Sequence, residues 1–404
     1  MAALYAFSYI QRIGIPGTIF DELQADFRIT AQQVTTLSGI YLFIYAFMQV
    51  ITGGLVDRFG PAKVIFGGGM FLSVGSIIFP LSHSIESLYI SRGLVGLGGS
   101  LMYLSIVKEL DIRFSSKSFS VWLSVMILAG YCGGLLATRP FEIAVSSFGW
   151  RKSLLYVGIF CGITTVCSGW LFRKTKHDNE TRNHSEVLFA LKSILINPKM
   201  FRVTYTCAIA FLTFFIMQGV IGKKMLEDCC GLLSSTAASV IFLMMFISMI
   251  ASVITGVVSA MLGNRRRPFM ITAAVSCLLG IVSGLQIING NASYVIPFAV
   301  FMGIGSSGAP VFAASVKELN HPDFAATSVG VMNGFVYIAI AVLSVFIGRI
   351  LDMFGGTRIS DEIIRYPAKA YRMIMIICLV LTVVSVFTAL FSKETKGTNI
   401  YYQN

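Results

Sequence analysis

Charge is the first thing that this 404-residue chain lacks. Only 12% of its residues are Asp, Glu, Lys or Arg, about half of the roughly 25% found in an ordinary soluble domain. The shortage is uneven: charges sit in short islands between apolar runs of about 20 residues, the length a helix needs to cross a bilayer. With 55% hydrophobic residues and a mean hydropathy of +0.78, no stretch remains that could fold as a soluble domain of useful size. A formal charge of +12 therefore does not point to nucleic acid, because no soluble surface exists to carry a basic-aromatic patch. The excess Lys and Arg read as topology, since short cytoplasmic loops collect them.

Residues that carry chemistry are also scarce. The four histidines, His83, His177, His184 and His321, fall in loops and do not cluster, so no metal or acid–base centre is expected. Most of the eight cysteines lie inside apolar runs, where they act as small hydrophobes. Cys229-Cys230 has no metal-ligand spacing, which argues against a zinc or disulfide framework. No phosphate-binding loop is present; Gly67-Gly68-Gly69 lies within an apolar run. Met1 opens almost directly into an apolar segment without a basic leader or an A-x-A-like site, so no cleavable signal is expected. These absences disfavour a membrane enzyme and an ATP-driven pump, and no cofactor is expected.

What the chain has is twelve apolar spans, at approximately 2–22, 35–56, 63–81, 87–108, 118–138, 151–172, 202–222, 235–262, 268–288, 293–316, 325–350 and 371–391. The longest polar break, Arg173 to Lys199, divides them six and six. With both ends cytoplasmic, the inner loops collect eighteen Lys and Arg residues against eleven outside, which favours that orientation. The halves echo each other, as transporter halves do. Gly53…Gly60 at the end of the second span is answered by Gly256…Gly263 at the end of the eighth. Val107-Lys108-Glu109-Leu110 recurs as Val316-Lys317-Glu318-Leu319, and Gln11 has a counterpart in Gln218.

The stretch Gly53-Gly54-Leu55-Val56-Asp57-Arg58-Phe59-Gly60-Pro61-Ala62-Lys63 joins the second and third spans. It resembles the G-x-L-x-D-R-x-G loop of the major facilitator superfamily, with Gly53, Leu55, Asp57, Arg58 and Gly60 matching. Arg92-Gly93-Leu94-Val95-Gly96 is similar to that family's fourth-helix pattern, and Gly149-Trp150-Arg151 opens the sixth span in a familiar way. The resemblance covers essentially the whole chain. It implies an all-α membrane protein with twelve transmembrane helices in two pseudo-symmetric six-helix bundles. The bundles would be residues 1–172 and 201–392, joined by a cytoplasmic loop at 173–200 and followed by a cytoplasmic tail at 393–404. They would rock around a central cavity open to one side at a time. Gly53, Asp57, Arg58 and Gly60, with Arg92, would serve gating and coupling. Near the outer end of its span Arg92 could also pair with outer carboxylates, cap carbonyls or touch substrate, and Glu109 and Glu318 of the repeated Lys-Glu-Leu could close the inner side on loop arginines or simply face solvent. The plainer alternative for 53–63 is a positive-inside turn, and the second-half copy has Ala260 where the Asp would stand.

Arg12 lies about ten residues into the first span, and no carboxylate of its own helix is within two turns. A charge at that depth costs roughly 2.5–3.5 kcal/mol on insertion scales. Two readings are open: an anchor for an anionic solute, or an Arg paired with another helix or reaching a boundary. Tyr9-Ile10-Gln11-Arg12 is similar to the first-helix Tyr-x-Asp-Arg of the anion:cation symporter branch, but Gln11 replaces the titratable Asp. The organophosphate:phosphate antiporters pair a first-helix Arg with a seventh-helix one, and here Gln218 stands in the seventh span. Tyr41, Tyr45 and Gln49 share one helical face, as do Asn333 and Tyr337. They could line the cavity or hold helices together.

The expectation is a secondary active transporter of a small organic solute, more specifically an organic anion. Arg12, Tyr41, Tyr45, Gln49, Gln218, Asn333 and Tyr337 would bind the substrate. It would act as a monomer in the cell membrane, with a coupling proton or other ion as an open question and no nucleic-acid partner. The alternatives are an exporter of lipophilic compounds, or a receptor or sensor that kept the fold without transport. No carboxylate lies deep in a span; a proton would have to use Asp21, Glu22, Glu109 or Glu142 near the ends.

Overall fold

The computed structural model describes residues 1–114, 116–172, 193–359 and 363–402. Their regular structure is helical apart from a two-strand hairpin, β1 (Thr357–Arg358) against β2 (Ile364–Arg365). The first half consists of α1 (Ala2–Gly14), α2 (Phe20–Phe27), α3 (Ala31–Phe59), α4 (Pro61–Leu81), α5 (Ile85–Ser100), α6 (Met102–Arg113), α7 (Ser116–Leu136), α8 (Arg139–Phe148) and α9 (Trp150–Phe172). The second half consists of α10 (Pro198–Gly219), α11 (Gly222–Cys230), α12 (Ser234–Met261), α13 (Arg267–Ile288), α14 (Val295–Gly305), α15 (Ala309–Leu319), α16 (Ala325–Phe354) and α17 (Ala368–Leu390).

Among the described residues, nine helical segments are long and apolar enough to cross a membrane, and ten if α7 and α8, bent by 44°, form one pass. The pass begun by α1 and the 29-residue α3 complete the expected twelve. The first pass departs from the continuous 2–22 span: Ile15-Pro16 is a cis peptide, and α1 stops at Gly14. Proline has no N–H with which to continue a helical ladder. The pass at α3 starts a turn before its apolar core, where Thr30 and Gln33 close a capping box, and α16 runs on to Phe354. At the turn after α3, Gly60 holds φ of 81°, a backbone conformation that favours glycine. Pro61 then starts α4, where its missing N–H costs nothing. Most of the predicted central loop, 173–192, lies outside the described residues.

The surface is apolar where a bilayer would touch it. Phe47, Trp170, Val253, Phe346 and Phe387 are 55–71% exposed, while polar side chains turn inward. The turns after α3, α6, α12 and α15, together with Met1 and the tail, lie on one face, called here the terminal face. The α1–α2 turn, α2, α8, α11 and the hairpin lie on the opposite face.

The two halves meet along α3 and α16, which run antiparallel. Near the opposite face the backbones are so close that a Cβ on Gly348 would stand 2.1 Å from Thr35 Oγ1 and 2.5 Å from Gln32 Cα. Contact continues to Ala46 and Gly334, 3.9 Å from the position of an added Cβ. Toward the terminal face it ends: an added Cβ at Gly53, Gly54 or Gly330 would meet nothing within 4 Å. The helices therefore splay and leave a cleft toward the terminal face.

Candidate functional site

Arg12 stands in the last turn of α1, where the carbonyl end of the helix favours a cation. Its Nη1 donates to Tyr337 Oη at 3.1 Å, a hydrogen bond from one half to the other. The guanidinium carbon lies 4.5 Å from the centre of the Tyr9 ring, 5.4 Å from Tyr337 and 5.6 Å from Phe215. Its Nε is buried without a hydrogen-bond partner, and no carboxylate among the described residues forms an ion pair with it. Aromatic faces attract the cation but bring no countercharge.

Tyrosines extend this cage. Tyr337 meets Tyr45 edge to face at 4.7 Å, and Tyr45 stacks on Tyr41 at 6.0 Å. On the other side Tyr5 packs against Tyr9 and Tyr103, and Tyr131 Oη lies 3.3 Å from Ser252 Oγ across the halves. The four-residue spacing that groups Tyr41 with Tyr45, and Tyr337 with Asn333, thus faces both sets toward the junction. Gln49 and Asn333 sit one turn farther toward the terminal face, where α3 and α16 diverge. Gln218 is 4% exposed and points its Nε2 at Met245 Sδ, 2.6 Å away, so it serves the α10–α12 contact in this conformation.

Of the roles open to it, Arg92 takes that of capping carbonyls; it forms no ion pair with a carboxylate among the described residues. Its side chain is fully buried, with Nε 3.1 Å from Leu37 O, Nη1 2.8 Å from Gln11 O and Nη2 3.5 Å from Ile15 O. A helix end leaves carbonyls without intrahelical donors, and the break at Pro16 creates such an end in the membrane. Arg92 supplies the donors and lies over the Tyr41 ring at 4.8 Å.

At the terminal face each half is tied to itself. Glu109, fully buried, lies 2.5 Å from Arg113. Arg58 is exposed beside the Phe59 ring, and the side chain of Asp57 lies outside the described residues. In the second half, Arg266 makes a bidentate pair with Glu318 at 2.8 and 3.3 Å. The tail completes it: Glu394 accepts from Arg266 N and Arg267 N at 2.7 and 3.1 Å, Thr395 Oγ1 donates to Glu318, and Ile400 N donates to Glu318 O at 2.8 Å. The departure from the first-half motif at Ala260 is therefore filled from α15 and the tail.

At the opposite face the halves are tied to each other. Asp352 accepts from Ala31 N and Gln32 N, both at 2.8 Å, capping α3 from α16. Lys224 Nζ lies 2.9 Å from both Asp21 Oδ1 and Asp228 Oδ1. Lys223 Nζ donates to Thr18 O at 3.0 Å, and Gln24 Nε2 to Tyr366 Oη at 2.8 Å. Burial works against the Lys224 ammonium, yet Asp21 and Asp228 outweigh it and hold its pKa above the ordinary lysine value. Burial raises Glu227 and Asp228, against the pull of their lysines. Among the described residues, hydrogen bonds and ion pairs between halves occur at this face and at mid-depth; none joins the halves at the terminal face.

Sequence reasoning missed Tyr5, Tyr103, Tyr131 and Phe215 of the cage, and the lysine pair of α11. Tyrosines recurring at helical spacing in the first pass (Tyr5, Tyr9) were a usable signal. Lys223-Lys224 carried half a signal: Glu227 and Asp228 stand four residues on, at the spacing of helical ion pairs, whereas Asp21 and the Thr18 carbonyl, which they reach in the other half, lie some two hundred residues away.

A model of the Major Facilitator Superfamily matches residues 1–227. Over 159 residues the chain is 28% identical to monocarboxylate transporter 7 of Homo sapiens, covering 39% of this chain and 30% of that protein. Over 344 residues it is 22% identical to monocarboxylate transporter 4 of Gallus gallus, covering 83% and 72%. A probable sulfoacetate transporter, SauU, of Cupriavidus necator is 22% identical over 196 residues, covering 45% and 42%. The chain spans about a third of the length of the curated relatives it matches first. Among solved structures, a bacterial homolog to the human lysosomal transporter Spinster, inward-facing and unoccupied, superposes with a TM-score of 0.75 at 15% identity, covering 97% of this chain and 95% of that one. The peptide transporter POT in complex with sulfate gives 0.77 at 12% identity, covering 98% and 94%. At these identities the structures speak for the fold.

Proposed function

The chain belongs to the Major Facilitator Superfamily, and from that premise we propose that it is a secondary active transporter of a small organic anion, working by alternating access. That it is a membrane transporter of small organic solutes rather than an enzyme accords with its relatives; the anion is our own reading. The observation that carries it is Arg12: a cation at mid-depth, caged by Tyr9, Phe215 and Tyr337, with no carboxylate in ion-pair reach among the described residues. A carboxylate or sulfonate would supply the missing charge through a charge-assisted hydrogen bond. It would compete with Tyr337 Oη for Nη1, so ligand binding would act directly on a contact between the halves.

Tyr41, Tyr45, Gln49, Asn333 and Tyr337 would line the path from the cage to the cleft, and Gln218 would join them only if α10 and α12 rearrange. The halves would rock as units of about 1–172 and 201–392, joined by the interval 173–200. With the terminal face cytoplasmic, the present conformation is open inward, and Asp57, Arg58 and Glu109 would engage when that side closes. The relatives' printed substrates, monocarboxylates and sulfoacetate, are themselves organic anions and accord with the reading. An exporter of lipophilic compounds would call for an Arg12 neutralised from within, which the described residues do not provide.

The test is counterflow of labelled organic acids in proteoliposomes with the wild type, Arg12→Gln and Arg12→Lys. Transport by the wild type that is lost in Arg12→Gln supports the reading. Normal anion transport by a well-folded Arg12→Gln protein would remove the anchor, and ligand binding without counterflow would favour a sensor.

A further inference from the structure

Four carboxylates and two ammonium groups meet where α2 and α11 close the opposite face: Asp21 and Glu22 from the first half, Lys223, Lys224, Glu227 and Asp228 from the second. Three of the carboxylates have partners. Asp228 takes Lys224 Nζ at 2.9 Å, Tyr366 N at 3.0 Å and Tyr371 Oη at 2.7 Å. Asp21 shares the same Nζ at 2.9 Å. Glu227 lies 3.2 Å from Lys223 Nζ. Glu22 differs in having no ion pair among the described residues: its Oε2 is buried without a hydrogen-bond donor, and Lys223 acts on it only from beyond ion-pair distance.

The charged groups packed around the cluster are matched elsewhere. Asp26 holds Trp150 and Arg151, Glu142 holds Arg139, and Asp352 caps α3. Burial pushes the Cys229 thiol and the Tyr366 phenol up to about 12, so neither adds a cation or accepts a negative charge near neutrality. Fully ionised, the cluster would hold four negative charges against two positive ones in a place shielded from water. Such crowding favours protonation of a carboxylate, and at Glu22, which has no ion pair among the described residues, burial outweighs the pull of Lys223 and raises the pKa.

We propose that sealing the opposite face takes up one proton from the solution on that face and holds it on Glu22, so that acid favours the sealed conformation. The step is the addition of a proton to a carboxylate, with no other bond made or broken. It reverses when α2 and α11 part and water reaches the group. This rests on the alternating-access reading above. Glu22 has the higher pKa in the sealed state. Its contribution to sealing is therefore complete below the open-state pKa and is lost as pH rises through the sealed-state pKa. One proton moves the equilibrium at most about tenfold per pH unit.

The test is distance measurement between spin labels on non-canonical residues placed at the exposed positions Ser147 and Ser234, in the full chain in lipid nanodiscs. A second pair across the terminal face, at the exposed positions Lys63 and Met261, reports the other gate. In the wild type, the short-distance population at the opposite face should grow several-fold from about pH 8 to about pH 5. Glu22→Gln, which imitates the protonated acid, should stay sealed at both, and Glu22→Asp should keep a pH dependence. A wild-type distribution indifferent to pH, or a Glu22→Gln protein that follows the wild-type curve, overturns the proposal. If the two gates exchange without regard to pH, only the proton assignment fails. If neither gate has a second population under any condition, the alternating-access reading fails with it.

Discussion

The two faces of this molecule use the same kinds of interaction toward different ends. At the opposite face, carboxylates and lysines join one half to the other: Asp352 to α3, Lys224 to Asp21, Gln24 to Tyr366. At the terminal face, an equally dense set joins each half to itself, with Glu109 on Arg113 and Glu318 on Arg266 and the tail. Buried polar groups need partners in either case. What differs is whether the partner moves with the same half. If the halves rock as proposed, a contact within a half survives the motion, whereas a contact between halves would have to break in every cycle. On that proposal, the distribution of partners among the described residues marks the opposite face as the shut one in this conformation.

Four experiments would break or sharpen that contrast. Lys224 is 2% exposed and serves a carboxylate in each half, so Lys224→Met should have the largest effect. Removing one member of a buried pair costs about 3–5 kcal/mol, to be seen as a lowered melting temperature and loss of the sealed opposite face in label distances. Unchanged values for both would show that the face is held by packing alone. Arg12→Gln comes next, with anion uptake falling by at least about 100-fold at normal expression, roughly the worth of a hydrogen bond to a charged group. Asp352→Asn keeps the shape but removes the charge from the N-terminal end of α3. The sealed population should fall about five- to tenfold, in keeping with a cap worth about 1 kcal/mol. Arg266→Gln, at the terminal face, should be the mildest. Amide exchange should rise around Thr395–Ile400, while transport stays within about twofold, since the pair, 13% exposed on each side, lies within one half. A large transport loss in Arg266→Gln would mean that the terminal-face ties are not internal to one half after all.

How much of this was legible beforehand depends on where each partner lies in the chain. Twelve passes and the grouping of Tyr41 with Tyr45 follow from local periodicity, and the structure has both. That Arg12 has no carboxylate nearby in its own helix was legible too; the sequence leaves open whether another helix supplies one, and none does so among the described residues. Arg92 was not. Its partners are the backbone carbonyls of Gln11, Ile15 and Leu37, which every residue owns and no sequence pattern advertises. The α11 lysines counted as topology, since a Lys/Arg tally cannot tell a loop cation that faces water from one that bridges two bundles. The tail was assigned to the cytoplasm and nothing more. Glu394 there does the work of a helix cap for α13, from a distance that capping rules, which look three residues ahead, do not cover.

The buried Arg92 has one further consequence. By holding carbonyls of α1 and α3 at once, it fixes the frame to which Arg12 belongs. In a rocking cycle Arg12 is then a stationary reference point in the first half, and Tyr337 is the part that approaches and withdraws. An anion seated on Arg12 would not be passed from hand to hand. It would ride with the first half as cargo on a fixed berth, while the second half swings past it to expose first one shore and then the other.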